Sequence, residues 1–494
     1  MSSELLEHYL HDDSRRAAPP AGAYSGAAGG ASCGDLVRVS LGIEGGRVAA
    51  ACFDADGCGS TIAAGAVVAE LAEGASVLEA ARIGPPEISA TLGGLSPQGR
   101  HAADLAADAL HRALGAIASS GTTVAEPPRG ERVVVAMSGG VDSAVAALLE
   151  RERGVDVVAV TLKLWADRRT DGSRSCCSPE AVVSARALAH RLGLPHLTLD
   201  LEEAFRATVV ESFVRGYETG RTPNPCVVCN GELRIDAMVA LARRAGASSL
   251  ATGHYARLVD DGEGLLLARP ADEAKDQTYM LSALGPEALA ALRFPLADLT
   301  KPRVRELAAA AGLAVAGKRE SQDLCFLAGE GKSSFLARHA RLGERPGDIV
   351  DRFGRRLGRH RGHHNFTVGQ RRGLGVGGGE PLYVLATDAA RNRVVVGSRP
   401  ELATGRVRLR DAVLRRDGAR VDRVKLRYRS RSIGCALEAP AGQHPELWLE
   451  LEEAAYGVAP GQTACLLDGD LVVGHATIAD ASVAEPSAPR LLSP

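Results

Sequence analysis

The chain has few aromatic side chains: Phe, Trp and Tyr together make up 4% of 494 residues, with 2 Trp among them. Its cores must therefore rest on Ala, Val and Leu, which gain stability through many small contacts rather than a few large rings. No run of 18 or more apolar residues occurs, so no segment reads as a membrane-crossing helix. The N-terminus, MSSELLEHYLHDDSRR, is acidic and lacks the apolar stretch of a secretory signal, so a cytoplasmic location without membrane association is expected. Lysine is scarce, at 6 of 58 basic residues, a bias for which genome base composition is the plain explanation.

Enough apolar mass is present for several cores. Hydrophobic residues are 45% and charged residues 24%, and at roughly 150 residues per domain the length suggests about three domains, or four. The formal net charge of −2 hides an asymmetry. Residues 1–130 carry 8 Lys/Arg against 15 Asp/Glu, and the rest carries 50 against 45. An acidic front and a basic rear suggest modules with different partners. Basic residues cluster further: residues 352–372 hold seven Arg and no acid, and residues 406–431 hold eleven Lys/Arg against three Asp. Such patches suit phosphate contacts.

The ten cysteines are Cys33, Cys52, Cys58, Cys176, Cys177, Cys226, Cys229, Cys325, Cys435 and Cys465. Their close pairs favour metal binding or sulfur chemistry over a disulfide framework. Cys435 and Cys465 fall in expected strands and read as core.

Residues 17–32 are small and read as a flexible loop after a short first helix. Two strands, LVRVSLGI and RVAAACFDA, meet at a Gly45-Gly46 turn, and helices follow Gly57-Cys58-Gly59-Ser60 and span Ala102–Ile117. The segment 121–131 is a linker. Beyond it the texture is α/β: strands at 133–137, 155–165, 196–200 and 249–258 alternate with helices, as in a doubly wound parallel sheet. After about residue 335 helices fade, and residues 404–480 have the short strands and turns of a β-barrel. The expected domains are 1–125, an α+β module; 131–335, the α/β domain; 336–403, a small β-rich domain; and 404–482, a C-terminal β-barrel, with a disordered tail at 483–494.

Ser138-Gly139-Gly140-Val141-Asp142-Ser143 lies between a strand and a helix. Glycines there admit phosphate oxygens to the backbone N–H groups and the helix N-terminus. Asp142 can hold Mg²⁺. The string is not a Walker A motif and resembles the pyrophosphate loop (PP-loop) of N-type ATP pyrophosphatases.

Further along stand Thr222-Pro223-Asn224-Pro225-Cys226-Val227-Val228-Cys229-Asn230, Gly253-His254-Tyr255, Lys275-Asp276-Gln277, Ser321-Gln322-Asp323-Leu324-Cys325-Phe326 and Gly369-Gln370-Arg371-Arg372-Gly373-Leu374-Gly375. In this order, over about residues 131–480, the chain resembles the tRNA-specific 2-thiouridylases, which exchange the C2 oxygen of the wobble uridine, uridine-34, for sulfur. The resemblance implies ATP contacts at Ala136, Met137, Ser138, Gly139, Gly140, Val141, Asp142, Ser143, Leu162 and Gly253. It implies tRNA contacts at Asn224, Pro225, Cys226, His254, Lys275, Asp276, Gln277, Arg427, Tyr428 and Gln462. By the same resemblance Cys325 carries a persulfide and Cys229 resolves it.

Cys226 is an addition, since many family members have Asp there. With Cys229 and Cys325 it makes three thiolates, enough to hold a [4Fe–4S] cluster with one open iron able to bind hydrosulfide. A persulfide site with a spare thiol and a structural zinc site are the alternatives. Cys176-Cys177 has no assigned role.

Cys33-Gly34-Asp35, Gly57-Cys58-Gly59-Ser60 and His101 resemble the NifU/IscU-type iron–sulfur scaffold, whose order residues 25–118 follow. The third scaffold cysteine is replaced by Ala102. The ligands implied are Cys33, Asp35, Cys58 and His101, for a cluster, Fe or Zn; Cys52 is a further candidate to which its strand position lends no support. A cysteine desulfurase or another sulfur donor is an implied partner. Covalent fusion suggests delivery in cis. Two rival readings are a PP-loop amide or amidine synthetase and an iron–sulfur carrier with a non-catalytic PP-loop domain.

Overall fold

The computed structural model describes residues 3–30, 34–97, 99–165, 167, 178–318, 324–327, 329–340, 342–377 and 380–483. Cys33, Cys176, Cys177, Ser321, Gln322, Asp323 and the expected tail beyond residue 483 lie outside the described residues. The chain divides into two compact units. One comprises Met1–Glu203, Arg234–His254 and Ala290–Phe326; the other comprises Ala204–Leu233, Tyr255–Leu289 and Leu327–Pro494. The stretch 131–335 is thus shared between them.

In the first unit the N-terminal module is an antiparallel sheet of Tyr24–Gly29, Leu36–Glu44 and Arg47–Asp56, in that order. The last two strands alternate buried and exposed residues toward their ends, bury residues 39–41 and 51–53 throughout, and turn at Gly45 and Gly46, whose φ of 55° and 75° suit a tight hairpin. Helices Gly59–Ala72 and Arg100–Ser119 pack on the sheet and bury Ala, Val and Leu. The first strand corrects the expected loop at 17–32. Its small residues serve close approach rather than flexibility: a Cβ on Gly26 would sit 2.3 Å from the Ala109 carbonyl oxygen of helix Arg100–Ser119.

The same unit holds a five-stranded parallel sheet in the order Leu292–Arg293, Ser249–Thr252, Arg132–Ala136, Asp156–Lys163, His196–Asp200. Chain order reverses on either side of Arg132–Ala136, so its C-terminal end is a topological switch point, where ligands enter such sheets. The expected strand at 249–258 ends at Thr252.

Its continuation, Arg257–Asp260, belongs to the second unit. There it pairs with Leu265–Ala268, which adds to the barrel through Leu471 and Val472. The barrel itself has six strands in the order Ala403–Leu414, Gly442–Tyr456, Ile433–Ala436, Arg423–Lys425, Thr463–Asp468, Leu471–Val483, and closes by pairing the first with the last. Val407, Leu409, Leu449, Leu466 and Ile478 fill it. A separate four-stranded sheet runs Arg356–His360, Gly347–Val350, Arg393–Gly397, Tyr383–Asp388 around Ile349, Val384 and Val394.

Candidate nucleotide and sulfur-transfer sites

The buried strand Arg132–Ala136 delivers the nucleotide loop to the switch point. Gly139 turns at φ 69°, Gly140 precedes the helix Val141–Glu152, and the loop is braced from within. The Ser138 N–H donates to Ser143 Oγ at 3.1 Å, and Ser143 Oγ donates to the Gly140 carbonyl at 3.2 Å. Gly253 presses against the loop: a Cβ there would lie 2.7 Å from the Asp142 carbonyl carbon and from the Ser143 nitrogen. Any side chain at Gly253 would push the loop out of place.

Asp142 does not face open space. Both its carboxylate oxygens lie 2.7 Å from Nζ of Lys301, a buried residue at the start of helix Lys301–Ala310. The oxygens expected to take Mg²⁺ are therefore engaged by an ammonium in this arrangement. A second lysine, Lys318, donates to the Gly139 carbonyl at 2.9 Å. Neither lysine carries a motif, and the sequence reading missed both; only their distance from any Walker-type string marked a loop in need of cations from elsewhere. His254 contacts Thr252 Oγ1 at 2.9 Å through Nδ1, and desolvation, aided by the Arg234 guanidinium, pushes its pKa down to about 3.

In the second unit the motif Thr222–Asn230 forms a short helical turn, Pro225–Cys229. Asn224 caps it, its side-chain oxygen accepting from the Cys226 and Val227 N–H groups at 3.2 and 3.4 Å. Pro225 suits the first helical position. Cys229 is buried and Cys226 half-buried, each a turn apart on the same side of the helix. Tyr428 stands near Cys226 and stacks toward Tyr279 with ring centroids 6.2 Å apart. Gln462 Nε2 donates to the Thr222 carbonyl at 2.9 Å, and the Thr222 N–H donates to the Pro460 carbonyl at 2.8 Å. Barrel residues thereby fix the cysteine turn. Arg427 donates to the Val368 carbonyl at 2.9 Å and to that of Gly457. Gln277 Oε1 accepts from the Tyr255 N–H at 2.9 Å, while Asp276 caps Thr278 and pairs with Lys425 at 3.1 Å. Beside that pair is a cavity of about 260 Å³ lined by Arg269, Glu273, Asp276, Lys425, Arg431 and Asp470, among others. Lys275 is half-buried in the turn Glu273–Lys275.

Cys325 opens a short 3₁₀ turn, Cys325–Leu327, and its Cys325–Phe326 part belongs to the first unit. Phe353, 81% exposed among Arg352, Arg355 and Arg356, tops the hairpin that carries part of the arginine-rich patch.

In the N-terminal module the Asp35 carboxylate accepts from the Cys58 N–H at 3.2 Å and from Thr61 Oγ1 at 2.9 Å, which holds it beside the Cys58 thiol. His101 is exposed at the start of its helix, and Ala102 is buried. Cys52 faces the core, its thiol directed at the Ser40 carbonyl and its pKa raised by burial. Among the described residues no three His, Cys, Asp or Glu side chains are gathered as a metal would need.

Burial also pushes the thiols of Cys435 and Cys465 up to about 12. Only thiolates alkylate at useful rates. Native protein treated with iodoacetamide near neutral pH is expected to leave both unlabelled by peptide mass spectrometry, and modification of either before unfolding would contradict their core placement.

Four family models match the chain: NifU-like N terminal domain over residues 1–121, tRNA methyl transferase HUP domain over 131–329, tRNA methyl transferase PRC-barrel domain over 333–398, and aminomethyltransferase beta-barrel domain over 414–478. The chain is 47% identical over 467 residues to the bifunctional protein NifU/MnmA of Rubrobacter xylanophilus, covering 92% of this chain and 93% of that one. It is 43% identical over 349 residues to the tRNA-specific 2-thiouridylase MnmA of Acidithiobacillus ferrooxidans, covering 70% and 97%. With the same-named protein of Zymomonas mobilis it shares 40% over 362 residues, covering 73% and 96%.

Proposed function

Because the chain belongs to the family of tRNA-specific 2-thiouridylases that carry a NifU-like N-terminal domain, we propose that it uses ATP to adenylate the C2 oxygen of the wobble uridine and then replaces that oxygen with sulfur. The observation that carries the first half is the SGGVDS loop at the sheet's switch point, closed by Gly253 and flanked by Lys301 and Lys318. A carbonyl oxygen is a poor leaving group. Attack by the uridine oxygen on the α-phosphorus releases pyrophosphate, and the oxygen can then depart as AMP. The loop N–H groups and both lysines would bear the charge of the departing pyrophosphate.

Cys226, Cys229 and Cys325 are the sulfur-handling residues. Thiolates are the right kind of ligand for a [4Fe–4S] cluster, and these three would hold one, its open iron supplying hydrosulfide; on the persulfide route the thiols alone carry the sulfur. The terminal sulfur of a Cys325 persulfide bonds to C2 and AMP leaves. The Cys229 thiolate then attacks the Cys325 sulfur, the S–S bond to the nucleoside breaks, and 2-thiouridine is released with a Cys229–Cys325 disulfide. An external dithiol supplies the two electrons that restore the thiols. At the N-terminal module Cys33, Asp35, Cys58 and His101 would take iron or a cluster as cargo, and a cysteine desulfurase is the expected sulfur source.

The test is anaerobic thiolation of unmodified tRNA with ATP and Mg²⁺, scored as 2-thiouridine by nucleoside mass spectrometry. Apo-protein given a persulfide donor is expected to form product. Product only from cluster-reconstituted protein with sulfide would move the sulfur to iron. No product, with pyrophosphate release indifferent to tRNA, would favour the iron–sulfur carrier.

A further inference from the structure

The N-terminal module and the nucleotide-binding sheet lie in one compact unit, and the surface between them is tightly closed. Helix Arg100–Ser119 lies along His196–Asp200, the edge strand of the parallel sheet. A Cβ on Gly115 would sit 3.2 Å from the Thr198 carbonyl oxygen. At the end of this helix Ser119 Oγ accepts from the Asp200 N–H at 3.1 Å, and Arg244 donates to the Ala118 and Thr122 carbonyls at 2.6 and 3.0 Å. Centrally, the Arg186 guanidinium, 7% exposed, pairs with Asp108 of the module at 3.2 Å. Around it stand His111 of the module and, from the sheet domain, His190 and His196, with ring centroids 5.2 and 6.4 Å from that of His111.

The hydrogen bonds fix the proton positions. His111 Nε2 and His190 Nε2 lie 2.9 and 3.0 Å from the Ile83 and Ala81 carbonyls of the module, so each donates. His196 Nε2 lies 2.8 Å from Thr161 Oγ1, whose own proton goes to the Met137 carbonyl at 2.8 Å. With that proton committed, His196 Nε2 is the donor, and its Nδ1 is buried with no hydrogen-bond partner among the described residues. Met137 immediately precedes Ser138. Packed and hydrogen-bonded groups therefore run from the module's helix through His111, His196 and Thr161 to the entrance of the nucleotide loop.

We propose that the N-terminal module is a positioning element of the ATP site: docked through His111 and the Arg186–Asp108 pair, it holds His196 and Thr161 and thereby sets the Met137 carbonyl that begins the nucleotide loop. The proposal rests on reading that loop as the ATP site. It gives the fusion a role beyond raising local concentration, because the loop's geometry then depends on the module being seated.

The histidines add a pH dependence. Burial, with Arg186 alongside, pushes the pKa values of His111 and His196 well down and that of His190 down. Arg112, Asp104, Glu87 and Arg82 are the other charges facing this cluster. The docked histidines stay neutral, whereas undocked ones protonate near their ordinary pKa of about 6.5. Docking is therefore complete above that pH and weakens below it, by up to roughly tenfold per pH unit for each histidine.

The experiment is calorimetric ATP binding to the full chain, with tRNA affinity as control. Asp108→Ala and His111→Ala are each expected to raise the ATP Kd about tenfold, to leave tRNA affinity unchanged, and to expose the linker 121–131 to limited proteolysis. Asp108→Asn keeps an acceptor for Arg186 and should restore most of the affinity. ATP affinity of the parent chain should fall on acidification from about pH 7.5 to about pH 5.5, and His111→Gln, which still donates but does not titrate, should flatten that fall. An unchanged ATP Kd in Asp108→Ala with the linker cut overturns the proposal. Parallel loss of ATP and tRNA affinity also overturns it, marking plain unfolding. A parent chain that binds tRNA but not ATP overturns it together with the functional reading.

Discussion

With Cys325 replaced by Ser, the chain is expected to release pyrophosphate in the presence of tRNA yet to yield no 2-thiouridine, a loss of about 10³-fold or more in product. A serine hydroxyl cannot carry a sulfane sulfur, so the activated uridine meets only water. Cys229→Ser should be as severe when no dithiol is added, since the site then has no resolving thiol for the mixed disulfide between Cys325 and the nucleoside. In a single turnover that adduct should accumulate and be visible by intact mass. Cys226→Ser discriminates between routes. On the persulfide route Cys226 is spare, and the variant should keep most of its activity; on a cluster route it removes one of three iron ligands and should be as inactive as the other two. Retained thiolation in Cys325→Ser would remove the sulfur-carrying role from that residue altogether.

Some of this site was legible in the sequence for physical reasons. VVVAM reads as a buried strand because five apolar residues in a row suit a sheet covered on both faces. SGGVDS reads as a loop between a strand and a helix because its glycines let phosphate approach the backbone N–H groups at a helix N-terminus. The helix start at Asn224-Pro225, where Asn224 caps Cys226 and Val227, went unread although an Asn followed by Pro suits an N-cap and first helical position. Other features were hidden because their partners are remote. The strand Tyr24–Gly29 is made of small residues that look like linker until helix Arg100–Ser119 is laid on Gly26. Arg257–Asp260 follows a sheet strand closely in sequence but pairs into the barrel sheet, whose Leu471 and Val472 lie some two hundred residues on. Gln462 and Arg427, taken from resemblance as tRNA contacts, brace backbone carbonyls around the cysteine turn and the Gly369 segment. The interface histidines had no local signature: a lone His in an Ala-rich helix acquires meaning only from His190, His196 and Arg186 across the boundary.

The nucleotide loop offers the second large effect. Lys301 Nζ sits 2.7 Å from each Asp142 oxygen, with the lysine side chain 8% exposed and that of Asp142 31% exposed. The pair stands at the first turn of the helix whose N-terminus, on the proposed reading, takes the polyphosphate of ATP. Removing the ammonium by Lys301→Ala leaves a bare carboxylate facing the incoming anion and withdraws a cation from the developing pyrophosphate. Loss of one such preorganised charge typically costs about 10²–10³-fold in turnover, and ATP-dependent pyrophosphate release should fall by that order. Folding should suffer less, because the exposed side of Asp142 can rehydrate. Asp142→Asn separates the two contributions: it keeps Lys301 near the loop while removing the repulsive charge, so it should be markedly milder than Lys301→Ala if the lysine acts on phosphate directly, and equally severe if the lysine serves only to orient the carboxylate. Initial-rate assays of pyrophosphate release, at saturating and limiting ATP with tRNA affinity measured in parallel, decide between these. A Lys301→Ala chain within about threefold of the parent rate would mean that the ammonium serves the fold and not the reaction.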